Sequence, residues 1–187
     1  WDPTPVADRT TGEVFLFMSF TPRELNYHQA ETLPWSRSLF MIRSSSEGQT
    51  WSSPRNMTPV IRNDHITPRD RWCFSTMGGG KGIQTSSGRL VLPGYHGTCP
   101  SKFGDDNEFS HALYSDTHGE TWAVSAPFGL FTSEGGVVEL FDNKTLRWNT
   151  RVDGNPQHNR PMNCNGPFAH CRQTTLSSDG AATLLPT

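Results

Sequence analysis

The side chains able to do chemistry are spread thinly along this chain. Seven histidines and four cysteines are present, the residue types that hold metals. His96, His158 and His170 with Cys164 and Cys171 come nearest to a metal set, but their spacing matches no zinc pattern. No metal and no cofactor is expected. Glu134 stands where a polar stretch gives way to a strand-like run. It is either a base or a solvated loop carboxylate. Glu139 lies further along the same run, on the opposite face of a regular strand, and is expected to be structural or to bind an arginine. Arg151 ends the next strand-like run, either as a fork that grips a carboxylate or as a surface charge. Tyr95, taken alone, reads as a half-buried aromatic on a strand. Gln84 and Arg43 are weaker candidates, and Arg43 sits at the wrong end of its strand for a central site.

The elements that must position these groups read as short strands. Gly (17) and Pro (14) are plentiful among 187 residues, and no long helical period is present. An internal repeat organises the chain. Ser44–Trp51 and Ser115–Trp122 share the frame S-x-x-x-G-x-T-W, and Ser177–Leu184 is a worn third copy. Each follows a strand-like run: Ser38–Arg43, His111–Tyr114 and Arg172–Leu176. The frame therefore marks a hairpin turn. Its hydroxyls bond the turn's own N–H groups, its glycine takes positive φ, and its tryptophan packs into a seam. Val14–Phe20, Gly82–Gln84, Arg89–Leu92, Val137–Leu140 and Thr145–Thr150 complete the strand set. The pattern is an antiparallel meander of about three blades, fewer than a closed propeller needs. Copies separated by more than the roughly 40–45 residues of a compact blade imply large loops.

A net charge of −2 offers no basic face for nucleic acid, and no apolar run is long enough to span a membrane. Four cysteines allow three pairings, of which Cys164–Cys171 is close enough for a local disulfide. Two N-glycosylation sequons are present, Asn56-Met57-Thr58 and Asn143-Lys144-Thr145. With the even cysteine count they point to the secretory pathway: lysosomal, extracellular or cell-surface.

The frame resembles the Asp-box of sialidases. Gly78–Gln84 followed by Gly88–Tyr95 resembles that family's G-x-G-x-G-I-Q…G-R-L-x-x-P-x-Y. Ser133–Leu140 followed by Asn149-Thr150-Arg151 resembles its E-x-x-V-x-E-L…N-x-R. Pro3–Leu16 looks like the strand region after the family's first Asp-box, and Ala169–Asp179 is similar to the animal lysosomal branch. Ser46 and Thr117 stand where the box has its Asp, and the insert Asn155–Pro167 has no counterpart in the motif.

The resemblance implies an all-β, six-bladed sialidase-type β-propeller. Residues 1–187 are expected to form part of one such domain, with N- and C-terminal blades missing. It implies an exo-α-sialidase, a retaining hydrolase that releases terminal sialic acid from glycoproteins, glycolipids or oligosaccharides. The family uses a tyrosine nucleophile, because a carboxylate would meet an already anionic substrate. By the same resemblance Glu134 is the base that activates that tyrosine, Arg151 is one of three arginines holding the substrate carboxylate, and Tyr95 lines the pocket. The acid/base Asp and the tyrosine nucleophile are expected outside this chain, which alone is expected to be inactive. A non-catalytic sialic-acid-binding propeller and a structural repeat protein are the competing readings.

Overall fold

The computed structural model describes residues 2–26, 29–30, 33–61, 72–98, 108–152, 171–181 and 185–186. Three antiparallel sheets follow one another along the chain. The first runs β1 (Thr4–Ala7), β2 (Val14–Phe20), β3 (Ser38–Ser44) and β4 (Arg55–Asn56), and a four-residue helix α1 (Thr58–Ile61) follows. The second holds β5 (Trp72–Met77), β6 (Ile83–Gln84), β7 (Leu90–Thr98), β8 (Glu108–Ser115), β9 (Ala123–Val124) and β10 (Phe128–Leu130). Its main order is β5-β7-β8-β10, with β6 on β7 and β9 on β8. The third runs β11 (Thr132–Glu139), β12 (Leu146–Val152), β13 (Cys171–Ser177) and β14 (Leu185–Pro186). These antiparallel meanders are the three expected blades of a partial β-propeller.

The blades pack face to face. Phe15, Phe17, Leu39, Leu92, Leu113 and Trp122 belong to the core between the first and second. Val91, Ala112, Phe128, Val137 and Trp148 belong to the core between the second and third. In β7, Leu90 and Leu92 enter one core and Val91 the other, as the two-residue period of a strand requires. The middle blade is thus covered on both sides, and β5 is buried at every position.

The repeated frame forms the turn that its residues foretell. Ser44 Oγ accepts from the N–H groups of Ser46 and Gly48, and Ser46 Oγ from that of Thr50. Ser115, Thr117, Gly119 and Thr121 repeat the pattern. Gly48 and Gly119 have φ of 83° and 82°. Ala181 takes that place in the third copy at φ 80°, a conformation unfavourable for a residue with a Cβ. The tryptophans diverge. Trp122 is buried edge-on against Phe15 and Phe17 of the preceding blade, as the seam-packing expectation has it, whereas Trp51, on the first blade of the chain, is 39% exposed.

Polar clamps tie the blades at their turns. Arg89 makes a two-pronged pair with Asp116 at 2.7 and 2.8 Å, donates to Gly180 O, and lies over the Tyr114 ring. Arg43 bridges to Glu120 at 2.8 Å, and Gln84 donates to the buried Asp8 carboxylate. Both are structural joints. Glu139 accepts from the N–H and hydroxyl of Ser86, not from an arginine. Cys73 is disulfide-bonded; Cys164, of the expected Cys164–Cys171 pairing, and the insert 155–167 lie outside the described residues. Among the described residues no helix is long and apolar enough to cross a membrane.

Candidate active site

Glycines fix where the site forms. A Cβ on Gly78 would lie 3.0 Å from the backbone N and O of Gly135, and one on Gly80 would lie 3.0 Å from Gly135 O. On Gly82 it would lie 2.8 Å from Val6 Cβ, and the Gly82 N–H donates to Pro5 O. The glycine run therefore passes backbone to backbone between the first strands of the neighbouring blades. One neighbour is the strand that follows Asp2; the other is the strand that carries Glu134.

Glu134 is the third residue of β11, at a break in register between the Thr132↔Val152 and Gly135↔Thr150 pairs with β12. The irregularity aims its carboxylate at Arg151, with Oε2 accepting from Nη1 at 3.0 Å. Both side chains are about half exposed (46% and 41%), so the pair meets solvent and is open to a ligand. Arg151 lies opposite Arg172 across β12 and β13. Opposed like charges repel, and Asn149 relieves the clash by holding Arg172 through Oδ1 at 2.5 Å and its backbone oxygen at 2.9 Å. The asparagine of N-x-R thus holds a second guanidinium aside while Arg151 turns to Glu134.

Tyr95 sits centrally in β7, paired with Thr76 on one side and Ser110 on the other. It is 8% exposed, deeper than a half-buried strand residue, and meets Phe74 edge-on at 6.0 Å. Burial holds its phenol far above its ordinary value. The Glu108, Asp2 and Glu134 carboxylates push the same way, and Arg37 opposes them. Tyr95 is thus a neutral hydroxyl at working pH. Its flanks reach both neighbouring blades. Thr76 donates to Asp2 at 3.2 Å and shares a hydrogen bond with Ser19. Ser110 meets Thr132 at 2.7 Å, two residues before Glu134.

The structure therefore brings Glu134 and Arg151 together, with Tyr95 close enough to feel Glu134's charge. Asp2, Thr76 and Arg37 join the same neighbourhood without having been singled out from sequence. Arg37 is 6% exposed, its guanidinium 4.7 Å from the centre of the Phe74 ring. A charged residue before a strand carries no mark of burial. Asp2 has one signal, a left-handed φ of 51° that only coordinates reveal. Chemically the arrangement offers a half-exposed guanidinium that fits a carboxylate, with a carboxylate beside it. Among the described residues no group of three metal-ligating side chains forms.

The sequence matches the BNR repeat-like domain over residues 1–183. Human Sialidase-4 is 33% identical across 99% of this chain, and the match covers 37% of that protein. An exo-alpha-sialidase of Aspergillus fumigatus is 27% identical across 78% of the chain, covering 34% of its own length. Among solved structures, the Hadza microbial sialidase Hz136 superposes over the whole chain and 32% of its own, with TM-score 0.77 and 26% identity. Trypanosoma rangeli sialidase in complex with the inhibitor DANA does so with TM-score 0.72 and 20% identity, over 28% of its chain. The chain thus spans little more than a third of the curated relatives it matches. With the box turns, the glycine run and the Glu134–Arg151 pair in family order, the chain belongs to the BNR repeat-like domains and, among them, to the sialidase family.

Proposed function

We propose that this chain is the central part of an exo-α-sialidase propeller, supplying one side of its active site. The observation that carries the reading is the Glu134–Arg151 pair at 3.0 Å, half exposed beside the glycine-lined junction of blades. Arg151 grips the carboxylate of a terminal sialic acid with its planar fork. Glu134 takes the proton of a tyrosine that attacks the anomeric carbon, as retaining sialidases require. That tyrosine is not one of the described ones: Tyr95 is buried, and Tyr114 lies under Arg89. It and the acid/base carboxylate come from the remaining blades. The substrates are sialylated glycoproteins, glycolipids or oligosaccharides. The disulfide at Cys73 agrees with passage through the secretory pathway, to a lysosomal, extracellular or cell-surface site.

The test is a fluorogenic sialoside assay. The chain alone is expected to show no turnover, and the propeller completed with its flanking blades is expected to show it. Turnover by the chain alone that survives Glu134→Gln undiminished overturns the site. A folded, completed propeller that binds sialic acid without cleaving it overturns the hydrolase.

A further inference from the structure

The tip of the hairpin between β11 and β12 carries an aromatic side chain that stands clear of the other described residues. Phe141 is fully exposed, at 107% of its reference area. Two residues on, Asn143 is the acceptor of the sequon Asn143-Lys144-Thr145. The tip is rigid. Leu140 N donates to Thr145 O at 2.8 Å, and Asn143 N to Leu140 O at 3.0 Å. Asp142 Oδ1 accepts from the N–H groups of Lys144 and Thr145, and its Oδ2 from the Thr145 hydroxyl. Asn143 takes φ 53° with its side chain exposed. Beside it opens a crevice of about 380 Å³, lined by Arg89, Asp116, Lys144 and Asp179 among others.

We propose that Asn143 carries an N-linked glycan whose first N-acetylhexosamine stacks on Phe141. A sugar ring has one face of C–H bonds, and an aromatic face is electron-rich, so the two attract and shed water. The polar crevice on the other side of Asn143 suits the ring's hydroxyls. The modification transfers an oligosaccharide from a polyprenyl diphosphate donor. The sugar C1–phosphate oxygen bond breaks, a C1–Nδ2 bond forms on Asn143, the amide nitrogen loses one proton, and the lipid diphosphate leaves. Transfer precedes folding, when the Thr145 hydroxyl is not yet held by Asp142. At the other sequon, the folded chain holds the Asn56 amide oxygen on Thr58 N and Thr58 Oγ1 on Leu39 N.

This inference rests on secretory passage, not on sialidase activity. An appended leader that directs the whole chain into the endoplasmic reticulum of a mammalian host separates the two. Site occupancy is read by mass spectrometry on both retained and secreted chain, so a variant that misfolds still reports. Asn143 is expected to be glycosylated, and Asn143→Gln to remove one glycan mass. An unmodified Asn143 peptide overturns the proposal. Enzymatic release of the glycan under native conditions is expected to be several-fold faster in Phe141→Ala than in the parent. An unchanged rate overturns the stacking.

Discussion

Arg151 and Glu134 form one ion pair, yet replacing each has a different consequence. Arg151→Lys keeps the charge and loses the fork, because an ammonium cannot make two parallel bonds to a carboxylate. Within the completed propeller it is expected to weaken both binding and turnover, with a loss of about 2–4 kcal/mol, roughly 30- to 900-fold. Glu134→Gln leaves the guanidinium in place, so binding of a sialic-acid analogue is expected to persist while turnover falls. Measuring analogue affinity and kcat for both variants separates the roles. An Arg151→Lys variant that binds the analogue as tightly as the parent means that Arg151 does not hold the carboxylate. These two residues were legible in sequence because each sits in a motif of fixed order. Asp2, Arg37 and Thr76 were not, since what places them is the approach of blades distant in sequence, through bonds such as Thr76 to Asp2.

At the level of elements, the sequence marks strands well where one face is wet and poorly where both are covered. Val14–Phe20 matches β2 residue for residue, and its burial alternates. β5, Trp72–Met77, escapes detection because every side chain is buried and no alternation remains. β7 was expected to stop at Leu92, before Pro93-Gly94, yet it continues to Thr98. Pro93 is tolerated because its carbonyl, not its missing N–H, is what the glycine run uses: Gly78 N donates to Pro93 O at 2.9 Å. β11 starts at Thr132, well before the expected Val137, because two glycines hide a strand that needs them for close approach. That approach gives a sharp contrast. Gly78→Ala sets a methyl 3.0 Å from Gly135 backbone atoms, which cannot move without moving Glu134. It is expected to cut kcat at least tenfold, since small displacements of reacting groups are costly. Gly136→Ala, in the same strand, meets nothing within 4 Å and is expected to be neutral. Equal activities in the two variants would mean that the backbone contact does not position Glu134.

For the molecule as a whole, the covered middle blade hides a pair of histidines whose protonation acts against folding. His96 and His111 are 1% and 0% exposed, with their Nδ1 atoms 3.0 Å apart, one donating and the other accepting. Trp72 stacks on His96 at 3.6 Å, and Phe109 stacks on its other flank. Burial drives both rings below their ordinary range, His111 to about 3, and each ring's charge would further oppose that of its neighbour. As pH falls below about 6.5 the unfolded chain takes up protons that the folded chain refuses, so stability drops with pH. The loss is about 1.4 kcal/mol per pH unit for each histidine, and for His111 it continues down to about pH 3. Asp8 behaves differently. Although its burial raises its affinity for a proton, bonds from Thr10, His118, Gln84 and Thr11 outweigh that and lower its pKa. The stability it adds is therefore present above about pH 4 and lost only below, overlapping only the acid end of the histidine window. Thermal denaturation between pH 7 and pH 4.5 is expected to show a steep fall in Tm. In His96→Gln, which keeps a donor and an acceptor for His111 but cannot take a proton, the slope is expected to fall by about half. A slope unchanged in that variant would place the acid sensitivity elsewhere in the fold.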